Sequence, residues 1–161
     1  MKKVIVIGCP GAGKSVFARR LSGKTQLPLY HLDMLWHKAD KTTYTRGEFD
    51  AKLKQVLAQA NWIIDGNYLR TMPTRLKECD TVFLLDYPLD VCLAGAMSRI
   101  GQHRDDMPWV ETEFDDDFKQ WITDFPTKQL PQIYQLLARY PEKEITIFKT
   151  RAEANRYLRS I

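Results

Sequence analysis

The chain has 161 residues, enough for one domain with its own hydrophobic core, and its 44% hydrophobic and 27% charged residues are typical of a globular protein. Its formal net charge of +4 suits an anionic ligand but is too small to indicate nucleic-acid binding by itself. No apolar run approaches the ~20 residues of a membrane span and no signal-peptide pattern is present, so we expect a cytoplasmic protein. The three cysteines are scattered, so we expect reduced thiols, without disulfides and without a zinc-carrying lid.

Short apolar runs alternate with segments of helical periodicity along the whole chain. The runs predict β-strands at residues 3–7, 29–32, 62–64, 81–85 and 144–148. Apolar stripes predict helices at residues 49–60, at 114–125, from Pro131 onward and at 151–161. Strands that alternate with helices specify a parallel sheet with right-handed crossovers. The sequence therefore predicts a single three-layer α/β/α domain over residues 1–161.

The first predicted strand runs directly into a phosphate-binding loop motif, GCPGAGKS, at residues 8–15. Its glycines let successive backbone N–H groups point at phosphate oxygens, and the helix that begins near Lys14 adds the positive end of its dipole. We expect Lys14 to contact the β- and γ-phosphates of ATP and the Ser15 hydroxyl to ligate Mg²⁺. A glycine-rich turn without a ligand is the alternative, and the strand before the motif and the helix after it argue against that alternative. The predicted ATP-binding residues are Gly8, Pro10, Gly11, Ala12, Gly13, Lys14, Ser15 and Val16.

Three aspartates follow predicted strands, at the edge where open α/β sheets bind their ligands. A phosphotransferase needs one acid near the metal and often a second that orients or deprotonates the acceptor hydroxyl. Asp65, which Gly66 follows, is the predicted metal ligand, and Asp33 is predicted to face the acceptor. Asp86 precedes Tyr87-Pro88, and we interpret it as a cap of the next helix.

The segment after Asp33 is aromatic as well as polar. Trp36, His37 and Tyr44 could form a wall for the ring of an acceptor, or could be partly buried at the edge of the sheet. The sequence does not separate these two interpretations.

A polar, charged stretch at residues 100–108 interrupts the helical pattern and predicts a mobile lid over about residues 100–112. An acidic cluster from Asp105 to Asp117 follows. We favour the interpretation that these acids mark the start of a helix, whose dipole they complement, over a metal site.

The loop around Lys14 and the Asp65-Gly66 pair together resemble the adenylate-kinase-like branch of P-loop kinases. The segments HLDMLWH, WIIDGNYLRT and FLLDYPLDVC are similar to the small FlaR-like proteins, also called DNA-topology-modulation proteins, and this resemblance spans nearly the whole chain. It implies a P-loop NTPase fold whose five-stranded sheet has the order 2-3-1-4-5, with a short lid.

The same resemblance implies arginines that hold phosphates. Arg99 and Arg104 flank the predicted lid, and we expect them to neutralise charge on the transferred group during catalysis. Arg70 lies near the place where adenylate kinases hold the phosphate of the acceptor. Together with Asp33 and Trp36 it forms the predicted acceptor site.

These features predict a kinase that transfers the γ-phosphoryl group of ATP to a nucleotide or another small acceptor, with Mg²⁺ as cofactor. The alternative is a regulatory ATP-binding or ATPase module linked to DNA topology, which only the modest positive charge and the name of the family support. A GTPase is excluded because the chain has no Asn-Lys-x-Asp and no Asp-x-x-Gly motif. The identity of the acceptor and the oligomeric state are left open.

Overall fold

Five parallel strands form the central sheet, in the spatial order β2-β3-β1-β4-β5. The computed structural model describes all 161 residues. The strands are β1 (Lys3–Gly8), β2 (Leu29–His31), β3 (Trp62–Asp65), β4 (Thr81–Leu85) and β5 (Glu144–Phe148). The helices packed around the sheet are α1 (Lys14–Thr25), α2 (Leu32–Trp36), α3 (Arg46–Leu57), α4 (Met72–Glu78), α5 (Leu89–Ser98), α6 (Asp116–Lys128), α7 (Leu130–Ala138) and α8 (Arg151–Ser160). The three-layer fold and the predicted strand order are confirmed.

Strand β1 is central, and its position places the phosphate-binding loop at the middle of the sheet. It pairs in parallel with β3 on one side and with β4 on the other. Residues Val4 to Ile7 are fully buried, as a run of aliphatic side chains covered on both faces requires. The loop therefore leaves a rigid strand, between the ends of β3 and β4.

Aromatic side chains fix α1 against the neighbouring strands. The ring of Phe17 in α1 lies 5.2 Å from that of Phe83 in β4 and 5.6 Å from that of Phe148 in β5, measured between centroids. Tyr157 of α8 packs on the same two strand residues. Helix α1 begins at the phosphate-binding loop, so this cluster also holds the loop in place.

Two predicted boundaries differ from the structure for local reasons. The predicted strand at 29–32 ends at His31, because Leu32 already begins the short helix α2, which carries Asp33 in its first turn. Helix α3 begins earlier than the apolar stripe, at Arg46, because Thr45 and Glu48 form a capping box. None of the helices has the length and apolar character needed to cross a membrane.

Candidate active site

The segment between β1 and α1 adopts a backbone that only glycine adopts easily. Gly11 and Gly13 have φ angles of +85° and +96°. The side chain of Lys14 folds back over the loop and donates a hydrogen bond to the carbonyl oxygen of Cys9 at 3.3 Å. Of the predicted ATP-binding residues, those that line the main cavity are Pro10, Gly11, Gly13, Lys14, Ser15 and Val16. Gly8 and Ala12 are buried behind them.

Helix α5 lies directly against this loop. A Cβ atom built on Gly95 would be 2.0 Å from the carbonyl oxygen of Gly11, and one built on Gly11 would be 2.0 Å from the carbonyl oxygen of Cys92. Both distances are far shorter than an ordinary contact, so the two backbones touch without a side chain between them. This contact is the reason for a glycine at position 95, which no sequence motif indicates.

Asn67, just after β3, fixes the start of the loop. Its side-chain amide donates to the carbonyl oxygen of Gly8 at 2.7 Å, and its side-chain oxygen accepts from the N–H of Gly8 at 3.0 Å. Gly8 is paired with Leu85 of β4 on one side, but on the other side the pairing with β3 ends at Val6 and Asp65, so there the amide supplies both hydrogen bonds. Sequence reasoning did not assign Asn67 a role, although it follows the predicted Asp65-Gly66 pair directly.

The predicted metal ligands meet at Ser15. The Ser15 Oγ atom lies 2.6 Å from Oδ2 of Asp65 and 3.0 Å from Oδ2 of Asp106. His31 Nδ1 lies 2.7 Å from the same oxygen of Asp65. Since a carboxylate oxygen only accepts, this His31 nitrogen carries the proton. Two carboxylates and a hydroxyl are hard oxygen ligands of the kind that Mg²⁺ prefers, and such sites commonly share the ion with substrate phosphates.

No group of three or more His, Cys, Asp or Glu side chains in the chain is arranged to hold a metal ion alone. A Mg²⁺ site at Ser15 would therefore need the phosphates of the nucleotide as further ligands. That arrangement fits a phosphate-binding loop, where metal and nucleotide bind together.

Asp33 lies on another wall of the same cavity. Its Oδ1 atom accepts a hydrogen bond from the hydroxyl of Tyr68 at 2.5 Å. Burial, and then the charge of Asp33, raise the pKa of the Tyr68 hydroxyl above its ordinary value, so this tyrosine is a stable proton donor at neutral pH. The ring of Tyr68 stacks on that of Phe49 with 5.4 Å between centroids.

The wall that follows β3 is anchored by a buried charge. Arg75 of α4 is fully buried, and its guanidinium donates to the carbonyl oxygens of Gly66, Asn67 and Tyr68. Burial lowers the pKa of Arg75 to about 9, so the side chain still carries its charge at neutral pH. No local pattern indicates this role of Arg75, because the contacts depend on the turn Leu69–Thr71 that brings the chain back.

The segment between α5 and α6, residues 99–115, contains the predicted lid. Arg99 and Arg104 both line the cavity with Asp33, Asp65 and the phosphate-binding loop. The pKa of Arg99 is lowered by burial and by the neighbouring charge of Arg104, and its Nε atom is buried without a partner. Arg104 lies 3.4 Å from Asp106 and 3.4 Å from Glu111. Two cations thus lie close together in the cavity that contains the loop. Motion of the segment stays a prediction.

The acidic cluster divides into two parts. Asp115 accepts from the N–H of Asp117 and caps α6, and Asp116 and Asp117 lie in its first turn, as predicted for a helix start. The interpretation was wrong for Asp106, which is buried and faces Ser15, ten residues before the helix begins. Its contact partner is 91 residues away in the chain, so the local pattern could not reveal it.

Two of the residues predicted to face the acceptor lie elsewhere. Arg70 is exposed and pairs with Asp50, with 2.8 Å between Arg70 Nη2 and Asp50 Oδ1, and it does not line the cavity. Trp36 packs edge-on against Phe49, with 5.8 Å between ring centroids, which agrees with partial burial rather than with a wall for the acceptor.

The aromatic side chains that line the cavity are His37, which is the next residue of the chain, Trp109 of the lid segment, Tyr68, and Phe118, Trp121 and Phe125 of α6. The ring of His37 packs edge-on against that of Trp109, with 5.1 Å between centroids, and both residues line the cavity. Only the direction in which each side chain points decides between Trp36 and His37, and the sequence does not contain that information.

Asp86 was predicted to cap α5, and this prediction is wrong. The helix begins after Pro88 without a side-chain cap. Asp86 instead accepts hydrogen bonds from the hydroxyl of Tyr134, at 2.6 Å, and from the ammonium group of Lys149. It therefore ties the end of β4 to α7 and to the end of β5, outside the main cavity.

Comparison with known proteins supports a kinase fold. No protein-family model matches the chain. An adenylate kinase of Thermotoga neapolitana is 30% identical over 97 residues, which are 58% of this chain and 43% of that enzyme. The match therefore spans less than half the length of the curated relative.

Solved structures match over nearly the whole chain. The shikimate kinase from Acinetobacter baumannii in complex with shikimate has a TM-score of 0.66 at 15% identity, covering 99% of this chain and 90% of that one. A gluconokinase from Sinorhizobium meliloti has a TM-score of 0.58 at 11% identity, covering 98% and 89%. At these identities the likeness concerns the fold, and that fold is the one of small P-loop kinases.

Proposed function

We propose that the protein is a MgATP-dependent phosphotransferase that transfers the γ-phosphoryl group of ATP to a hydroxyl group of a small molecule. The observation that carries the proposal is one cavity of about 1090 Å³ that brings together the phosphate-binding loop, the acid Asp33 and the arginines Arg99 and Arg104. A cavity of this size accepts a nucleotide and a small second substrate side by side.

The loop and its neighbours would bind the nucleotide. The ammonium group of Lys14 leaves the carbonyl oxygen of Cys9 to contact the β- and γ-phosphates. Mg²⁺, held by Ser15 and Asp65 together with the phosphates, would neutralise charge that develops on them. His31 holds the Asp65 carboxylate in place through its hydrogen bond.

Asp33 would act on the acceptor. Its Oδ1 is fixed by the Tyr68 hydroxyl, which leaves the second carboxylate oxygen to orient the acceptor hydroxyl and to accept its proton. Arg99 and Arg104 would stabilise the charge on the transferred group, and their burial strengthens that interaction because water screens it less. Closure of the lid segment over the phosphates would exclude water and limit hydrolysis.

A hydroxyl acceptor fits this cavity better than a nucleotide acceptor. Arg70, predicted to hold the phosphate of an acceptor, pairs with Asp50 and does not line the cavity. Solved structures with this fold include a complex with shikimate and a gluconokinase, whose named substrates are hydroxylated small molecules. Within the adenylate-kinase-like branch, we propose that the chain belongs to the FlaR-like group. We also propose a cytoplasmic location, with which the three free, buried cysteines agree.

The test is transfer of label from γ-³²P-ATP to a panel of sugars, hydroxy acids, nucleosides and nucleoside monophosphates. We expect transfer to a hydroxylated small molecule, and no transfer by Lys14→Ala. Asp33→Asn should lower kcat for the acceptor at unchanged ATP affinity, and Asp65→Asn should lower Mg²⁺-dependent transfer while ATP still binds. ATP binding without transfer to any acceptor would refute the kinase proposal and favour a regulatory ATP-binding module.

A further inference from the structure

Two carboxylate oxygens compete for the single proton of the Ser15 hydroxyl. Oδ2 of Asp65 and Oδ2 of Asp106 both lie within hydrogen-bonding distance of Ser15 Oγ, at 2.6 Å and 3.0 Å. A serine hydroxyl has one proton and can donate to only one of them. Asp65 also accepts a hydrogen bond from His31 at 2.7 Å, whereas the other donor to Asp106 is Nη1 of Arg104 at 3.4 Å, so Asp106 is the carboxylate with the weaker hydrogen bonds.

The ion pair that Asp106 makes within the lid segment is loose. Its side chain is 5% exposed, yet the nearest nitrogen of Arg104 is 3.4 Å away, and Arg104 is shared with Glu111. Arg99 is near enough for its charge to act on Asp106 but makes no hydrogen bond to it. Burial of a carboxylate costs several kcal/mol unless a close partner compensates it, and neither arginine is such a partner of Asp106. The neighbouring residue Asp105 differs sharply, because its side chain is 73% exposed.

We infer that Asp106 is a carboxylate, supplied by the lid segment, that faces the Mg²⁺ ion of bound MgATP together with Ser15 and Asp65. A divalent cation ligated by these three oxygens would take the place of the missing hydrogen-bond donor and would balance the charge of the buried carboxylates. The inference rests on the proposed binding of MgATP at the loop. Because Asp106 belongs to the lid segment and Ser15 to the loop, the cation then links nucleotide binding to the position of the lid.

The experiment compares the binding of a non-hydrolysable ATP analogue to the wild type and to Asp106→Asn, by calorimetry, with Mg²⁺ and with EDTA. Without a cation, the Asp106 carboxylate repels the phosphates, so Asp106→Asn should bind the analogue about 10-fold more tightly than the wild type. With Mg²⁺, the same variant has lost a ligand and should bind about 10-fold more weakly. A carboxylate that only holds the lid in shape predicts changes of the same sign in both conditions, and that outcome would overturn the inference.

Three matched variants separate charge from lid structure. Asp105→Asn removes an exposed acid one residue away and should behave as the wild type. Glu111→Gln breaks the other ion pair of Arg104 without touching Ser15, and the effect of Mg²⁺ should persist. Asp106→Glu keeps the carboxylate and should retain most of the Mg²⁺ dependence. Loss of that dependence in Glu111→Gln as well would assign the effect to lid structure and refute the role of Asp106.

Two direct readouts complete the test. Electron paramagnetic resonance of Mn²⁺ in the presence of the analogue should show weaker Mn²⁺ binding in Asp106→Asn than in Asp105→Asn. The fluorescence of Trp109 in the lid segment, identified by its loss in Trp109→Phe, should change on addition of Mg²⁺ to the nucleotide-bound wild type but not to Asp106→Asn. Unchanged metal binding in Asp106→Asn would refute this inference alone, whereas a wild type that binds no nucleotide would also refute the proposed function.

Discussion

Substitution by alanine should have opposite effects on stability at two helical glycines, Gly95 in α5 and Gly23 in α1, because only Gly95 lies against the backbone of Gly11. In Gly95→Ala, the new Cβ would lie 2.0 Å from the Gly11 carbonyl oxygen, and the two backbones must separate by about 1.4 Å to reach an ordinary contact of 3.4 Å. Overpacking costs about 1–3 kcal/mol, and a clash with a backbone atom, which cannot rotate away, lies in the upper part of that range, at about 2–3 kcal/mol, against the ~1 kcal/mol that alanine gains over glycine in a helix. We expect a net loss of about 1–2 kcal/mol, or roughly 2–8 °C in Tm.

Gly23 in α1 is the matched control, because a Cβ atom there meets nothing within 4 Å. Gly23→Ala should raise Tm by about 1–4 °C through helix propensity alone. Thermal melts followed by circular dichroism give both values. Since the loop must move in Gly95→Ala, its affinity for ATP should also fall by at least ~10-fold, while Gly23→Ala keeps the wild-type affinity. A Gly95→Ala protein that melts at or above the wild type and binds ATP normally would refute this account of the loop.

Three further predictions concern single side chains. Lys14→Ala should weaken ATP binding by about 10- to 100-fold at unchanged Tm, since a charge-assisted hydrogen bond contributes about 1.5–3 kcal/mol; calorimetry measures it, and unchanged affinity would contradict the assigned role. Asn67→Ala leaves the buried N–H and C=O of Gly8 without partners, so urea unfolding should show a loss of about 2–4 kcal/mol, and a loss below 0.5 kcal/mol would contradict the bridge. Burial raises the pKa of the Cys79 thiol to about 11, so at pH 8 only about 0.1% is thiolate, and Ellman's reagent should label it slowly in the native protein and at once in urea; equal rates would show that the site opens easily.

Local signals predicted the fold, and they also predicted which residues lie together at the centre of the candidate site. The aliphatic run before Gly8, the loop motif and the acid at the end of β3 are each contained in a few consecutive residues, and the structure places Lys14, Ser15 and Asp65 together. The rest depends on contacts between distant parts of the chain. Asp106 reaches Ser15 over 91 residues, and Arg75 reaches three carbonyls only because the chain turns back after β3. The sequence also cannot show that Arg70 points away from the cavity.

Hydrogen bonds hold the β3 side of the cavity more tightly than ion pairs hold the lid side. On the β3 side, Arg75 donates hydrogen bonds to three consecutive carbonyl groups, and the Asn67 amide bonds to both backbone polar groups of Gly8, so the backbone on this side is held rigidly. On the lid side, Arg104 holds its two acids only at 3.4 Å. Under the proposed function, substitutions in the lid segment should therefore alter which acceptor binds with little loss of stability, whereas a change at Arg75 should destabilise the fold. For the proposed phosphotransferase, this division would let the lid segment diverge toward new acceptors while the phosphate-binding side stays constant.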